Sequence, residues 1–150
     1  MKAVLQRVER ATVRVDNSVI ASIGPGLLVL LGVHKDDVEK EIDWLSKKIA
    51  TLRIFNDDCG KMNKSVMDLQ YEVLVVSQFT LLANSTNGRR PDFIDAANGE
   101  KANNLCNFFV KSLEKVLGKT VATGLFGAKM KVELINDGPV TIIIDSKSQN

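Results

Sequence analysis

Histidine is almost missing from this chain, and cysteine, proline and the larger aromatics are scarce. Its 150 residues include one histidine, two cysteines, three prolines, one tryptophan and one tyrosine. His34, Cys59 and Cys106 are too few and too far apart for a convincing zinc site or a disulfide framework. Both thiols are therefore read as free, and no metal or cofactor is expected. His34 follows a strand, where a solvated or structural role is commoner than that of a base. No apolar run approaches the roughly 20 residues that span a bilayer. Met1-Lys2 leads straight into strand-like sequence instead of a signal peptide's apolar region, so the cytoplasm is the expected location and no membrane is involved. Charge leans only slightly, with 20 Lys and Arg against 18 Asp and Glu, a net of +2. That balance suits occasional phosphate contact and falls short of a protein living on nucleic acid.

What remains is an ordinary globular composition, 45% hydrophobic and 25% charged, on a length that suits one domain over residues 1–150. Stretches rich in Val, Ile and Leu from Lys2 to Glu9, Thr12 to Val15, Val19 to Ile23 and Leu27 to Val33 read as an antiparallel meander. Asp16-Asn17 and Gly24-Pro25-Gly26 mark its turns. From Asp36, a candidate N-cap, Ile42, Leu45, Ile49 and Leu52 follow helical spacing. A second helix is expected from about Gly99 to Leu117, with Gly118 as its left-handed cap. Glu72 to Val76, Thr120 to Thr123, Lys129 to Ile135 and Val140 to Asp145 supply further strands. Ala83 to Asn98 reads as a long polar loop, and Lys147 to Asn150 as a tail that frays. The pattern predicts an α+β domain with two main helices on one side of a curled antiparallel sheet.

Two segments carry the chemistry. Ser77-Gln78-Phe79-Thr80-Leu81 follows the β-branched run Val73-Leu74-Val75-Val76, so hydroxyls and backbone donors begin where the chain leaves the core. Asn136-Asp137-Gly138-Pro139-Val140-Thr141 follows the alternating Met130, Val132 and Leu134. There Gly-Pro interrupts the strand: glycine opens a conformation closed to other residues and proline removes a donor. A Gly-Pro between strands is commonly just a turn, and the isomer of the bond is open at this point.

Together these segments resemble the D-aminoacyl-tRNA deacylases, whose signatures read Ser-Gln-Phe-Thr-Leu and Asn-x-Gly-Pro-x-Thr in this order. The likeness also takes in Leu5-Gln6-Arg7-Val8, Gly26 to Val33, Arg53-Ile54-Phe55, Gly60-Lys61-Met62-Asn63 and Arg90-Pro91-x-Phe93, nearly the whole chain. Asn87-Gly88-Arg89-Arg90 departs from it, since members commonly carry a smaller or uncharged residue between the glycine and the arginine. Ser77 and Phe79 side with the D-selective branch.

The resemblance implies a barrel-like sheet in a homodimer that hydrolyses D-aminoacyl-tRNA, gripping its terminal adenosine and acceptor stem. It implies that Gly138-Pro139, in the cis form, tests chirality inside the partner subunit's site, and that glycine passes the test. Arg7 either holds the Gly-Pro carbonyls or makes a surface ion pair. Met130 and Phe126 either contact the adenine or wall the pocket, or else belong to the core, and Phe79 matters more through its backbone than its ring. The same likeness places Arg89-Arg90 near the tRNA surface. Thr80 as nucleophile would need a base, and the motif offers none. The favoured mechanism is substrate-assisted. Backbone N–H groups at Phe79 and Thr80 polarise the ester, Ser77, Gln78 and Thr80 order the attacking water, and the ribose hydroxyl assists. The rivals are a non-catalytic tRNA-end binding module and a simple esterase. The esterase would need an activated serine, and no Gly-x-Ser-x-Gly is present.

Overall fold

The longest apolar alternation produces one uninterrupted strand, β1 (Lys2–Val15), where the sequence pattern suggested two. The exposed pair Glu9-Arg10 mimics a break, yet Ala11 is fully buried and the strand continues through it. The computed structural model describes residues 1–86 and 88–148. Asn87 of the departure noted above, and Gln149 and Asn150 of the tail, lie outside the described residues.

Three further strands flank β1. Its second half pairs with β2 (Ser18–Ile23) and its first half with β3 (Gly26–Gly32), both antiparallel. Along its other edge runs β8 (Lys131–Asp145), also antiparallel. The remainder corrects the all-antiparallel expectation. β6 (Glu72–Ser77) pairs parallel with β3, and β7 (Ala122–Thr123) parallel with β6. Parallel neighbours need a crossover. The first contains α1 (Lys40–Thr51) and a small hairpin of β4 (Phe55–Asn56) and β5 (Met62–Lys64). The second contains α2 (Gly99–Leu117).

The sheet curls into a nearly closed barrel with two cores. Leu27, Val29, Leu31, Val73 and Val75 face the helices, meeting Leu45, Ile49, Phe109 and Leu113. Leu28, Leu74 and Val76 point the other way, into the barrel, with Val8, Ala11, Val13 and Ile23. β3 and β6 are therefore buried on both faces, which explains their unbroken apolar sequences. Each such fully buried aliphatic contributes about 1.5–3 kcal/mol relative to exposure.

The helix ends follow local chemistry. Asn98 caps α2 by accepting the Lys101 N–H at 2.9 Å, and Gly118 ends it at φ 70°. α1 begins later than the sequence suggested, at Lys40 and not after Asp36, because the neighbouring aspartate is used elsewhere. Asp37 is wholly buried, paired with the Met1 α-amine at 2.8 Å and accepting the His34 N–H at 2.7 Å.

Candidate active site

β6 delivers its last residue, Ser77, to a cleft of about 460 Å³ under the N-terminal half of α2. The chain then tightens into a 3-10 turn, Phe79–Leu82. Gln78 N–H donates to Leu31 O at 2.8 Å, and Leu81 N–H to Gln78 O at 3.3 Å. The Phe79 and Thr80 N–H groups open the turn, where a helix has no carbonyl one turn back to accept them. Ser77, Gln78 and Phe79 line the cleft together with Phe126 and Met130 from the segment before β8. Sequence reasoning named these five residues from two distant stretches, and the fold brings them together.

Their individual settings differ. The Phe79 ring is 56% exposed and meets Phe93 edge to face at 5.0 Å. Met130 packs on the barrel interior and also lines the cleft. Phe126 is exposed on the rim. Thr80 is exposed and lies outside the lining, its hydroxyl accepting a hydrogen bond from Gln78 Nε2. Arg89 and Arg90 are exposed and also outside it.

Among the described residues, the side chains lining the cleft include no carboxylate, imidazole, amine or guanidinium. The one titratable group among those described residues is the Cys106 thiol, which burial pushes up to about 11. A thiol so placed stays protonated near neutrality and is a poor nucleophile. His34 sits elsewhere, its Nδ1 taking the Asp36 N–H at 3.1 Å and lying 3.0 Å from Lys147 Nζ.

Sequence reasoning missed the far wall, which α2 and its approach build from Ala97, Gly99, Ala102 and Cys106. It also missed Gly32. A Cβ there would lie 2.5 Å from Leu82 Cδ2 and 3.0 Å from Gln78 O, so the 3-10 turn rests directly on the bare glycine. A glycine ending an apolar strand was the available signal of a close backbone approach.

The second signature forms a different structure. Gln6 pairs with Thr141 and Val8 with Asn136, so Asp137, Gly138, Pro139 and Val140 bulge outward opposite Arg7 alone. The strand resumes on both sides, and the Gly138-Pro139 bond is cis. Both residues are exposed, and neither lines the cleft of its own chain.

Arg7 is 6% exposed, so the surface ion pair does not describe it, and its contacts correct the other expectation. Its Nε donates to Asp137 O at 3.2 Å and pairs with the Asp137 carboxylate at 2.9 Å, one residue before the Gly-Pro carbonyls. Nη1 donates to Ile54 O at 2.9 Å and to Asn56 Oδ1 at 3.3 Å. The guanidinium thus backs the bulge and does not grip its tip.

Comparison with known proteins places the chain in a family. The family model described as D-Tyr-tRNA(Tyr) deacylase matches residues 4–145. A D-aminoacyl-tRNA deacylase of Cytophaga hutchinsonii is 52% identical, with 99% of each chain covered. One from Flavobacterium psychrophilum is 54% identical with the same coverage. Among solved structures, one titled c-Myc DNA Unwinding Element Binding Protein superposes with a TM-score of 0.92 at 47% identity, covering 97% of this chain and 98% of that one. A structure titled as a probable eukaryotic D-amino acid tRNA deacylase shares the fold at a TM-score of 0.82 and 16% identity, over 95% and 97% of the two chains. Matched almost end to end, with both signatures in order, the chain belongs to the D-Tyr-tRNA(Tyr) deacylase family.

Proposed function

We propose that this protein hydrolyses the ester of D-aminoacyl-tRNA, and of glycine mischarged on tRNA, releasing free tRNA and the amino acid. Family membership supports the reaction. The observation that carries the mechanism is a cleft with no ionised acid or base among the described residues that line it, and with Phe79, whose backbone N–H opens a 3-10 turn, on its wall. Such donors polarise a carbonyl and receive the oxyanion. With no protein base at hand, the ribose hydroxyl beside the ester does the proton work. The water oxygen bonds to the acyl carbon, the ester C–O bond breaks, and the water's proton reaches the departing ribose oxygen through that neighbouring hydroxyl. Ser77, Gln78 and Thr80 order the water, while Phe126 and Met130 wall the adenine.

Chirality is tested by the backbone of Gly138 and Pro139. Their carbonyls accept the substrate's amino group and fill the space an L side chain needs, while a D side chain points away and glycine passes. In one chain this bulge lies outside the cleft, on a strand whose Ile143 is 74% exposed. That placement supports a homodimer in which each bulge enters the partner's cleft. The protein works in the cytoplasm on the 3′ terminal adenosine and acceptor stem, the latter near Arg89-Arg90.

Three substrates test the reading: D-tyrosyl-tRNA, L-tyrosyl-tRNA, and D-tyrosyl-tRNA ending in 2′-deoxyadenosine. The first should be cleared and the other two should persist. Binding without stereoselective loss of the D ester would favour the rival, a nucleic-acid-binding module. Clearance of the deoxy ester, or a Thr80→Ala variant that binds but no longer hydrolyses, would overturn the ribose-assisted route.

A further inference from the structure

We infer that two asparagines with opposite hydrogen-bonding roles, Asn136 and Asn56, are positioning residues for the Gly138-Pro139 bulge. The inference rests on the reading of that bulge as the chiral element and deepens it. A backbone that discriminates by occupying space must not yield, and the four-residue bulge has surrendered the regular ladder bonds that would hold it.

Asn136 closes its base. The amide Nδ2 donates to Arg7 O at 2.9 Å and to Val140 O at 3.0 Å, linking the two ends of the bulge to the strand they leave. Its Oδ1 lies 3.4 Å from Thr141 Oγ1, which is 3.3 Å from Gln6 Nε2. Two carbonyl partners require the NH2 group on that side, so Asn136 works as a donor.

Asn56 acts from behind, through Arg7. With Ile54 O it holds Nη1 of the buried guanidinium, which forces its oxygen toward the cation, so Asn56 works as an acceptor. Arg7 passes that constraint forward. Nε is tied to Asp137, and Nη2 lies against Gly138, where an added Cβ would come within 2.9 Å of it. The hairpin supplying Asn56 is itself braced. Asp57 Oδ1 accepts the N–H groups of Cys59 and Lys61, both at 2.9 Å, and Arg53 binds Asn63 through Nε and Nη2, both at 2.8 Å. A chain of contacts therefore runs from β4–β5 through Arg7 to the exposed bulge.

Opposite roles give opposite responses to the same substitution. Asn136→Asp turns an oxygen toward two carbonyls and breaks the base, whereas Asn56→Asp offers the guanidinium a stronger acceptor. The experiment measures clearance of D- and L-tyrosyl-tRNA by the full chain and by the Asn136→Asp, Asn56→Ala and Asn56→Asp variants. Thermal midpoints report folding, and NMR reports hydrogen exchange at the Arg7 Nε–H. The D-over-L rate ratio should fall about tenfold or more in Asn136→Asp and Asn56→Ala, as expected for losing a bond to a charged or doubly used group. Arg7 exchange should quicken in the same two, and Asn56→Asp should keep both wild-type values. Folded Asn136→Asp and Asn56→Ala variants with an undiminished ratio would overturn the inference, as would an Asn56→Asp as impaired as Asn56→Ala. Should Asn136→Asp not fold, the Asn56 pair decides alone. A wild-type protein that clears both enantiomers equally would sink the chiral reading itself, and Arg7 exchange in the Asn56 variants then decides whether Asn56 holds the guanidinium.

Discussion

The Arg7 guanidinium occupies the place where a side chain on Gly138 would begin: a Cβ there would lie 2.9 Å from Arg7 Nη2 and 2.8 Å from Val140 Cγ2. Gly138 also has φ 121°, a region L side chains rarely adopt. A buried cation and a bare α-carbon on a neighbouring strand are thus matched to each other.

Gly138→Ala should therefore displace Arg7 and strain the backbone together, lowering stability by about 1–3 kcal/mol. Urea unfolding measures the loss. Gly60→Ala is the control for strain alone, because Gly60 has φ 77° with nothing within 4 Å of its added Cβ. Equal losses in the two variants would mean that the Arg7 contact is unimportant.

Gly32→Ala addresses the other signature. Its Cβ would press on Leu82 and on Gln78 O beneath the 3-10 turn. The expected outcome is loss of hydrolysis by up to about 100-fold from a displaced turn. Steady-state kinetics should place that loss in kcat, since the rest of the cleft is untouched. An unchanged kcat would show that the turn tolerates the push.

Asp37 and the Met1 α-amine are both wholly buried and 2.8 Å apart. Asp37→Ala removes the carboxylate from that charge, leaving it Ser146 Oγ, and strands the His34 N–H, which should cost about 3–5 kcal/mol. Asp36→Ala, one residue away on an exposed side chain, should cost little. Thermal unfolding of the two variants checks the contrast.

Acid and base should erode stability through different groups. Hydrogen bonds from Asn63 and Lys61 hold the Asp57 carboxyl below its usual 3.8, and Ser65 does the same for Asp68. Lys35 lowers Asp95, and Asp95 in return raises Lys35 above its usual 10.5. The aspartates contribute fully well above pH 3.8 and lose that contribution as pH falls through their depressed folded values. Lys35 contributes below pH 10.5 and loses it as pH rises through its raised value. Asp95→Asn should flatten the alkaline limb and soften the acid one. Lys35, Asp68 and Asp95 are exposed and Asp57 is half-buried, so the changes should be small and should shrink in salt.

Local physics was readable directly from the residue order. The period of Leu105, Phe109 and Leu113 set α2, Asn98 and Gly118 bounded it, and the unbroken run Val73-Leu74-Val75-Val76 announced a strand buried on both faces. Ser77, Gln78 and Thr80 stood out for the same reason, as polar side chains placed where an apolar strand stops. These properties depend on neighbours within a few positions, and a linear chain displays them. The parallel pairing of β3 with β6, the α2 wall of the cleft, and the three residues that bind the Arg7 guanidinium depend on how distant segments dock. An arginine looks the same in sequence whether water or Ile54 and Asp137 surround it. Only the packed molecule, by removing water from its guanidinium, settles which bonds it must make.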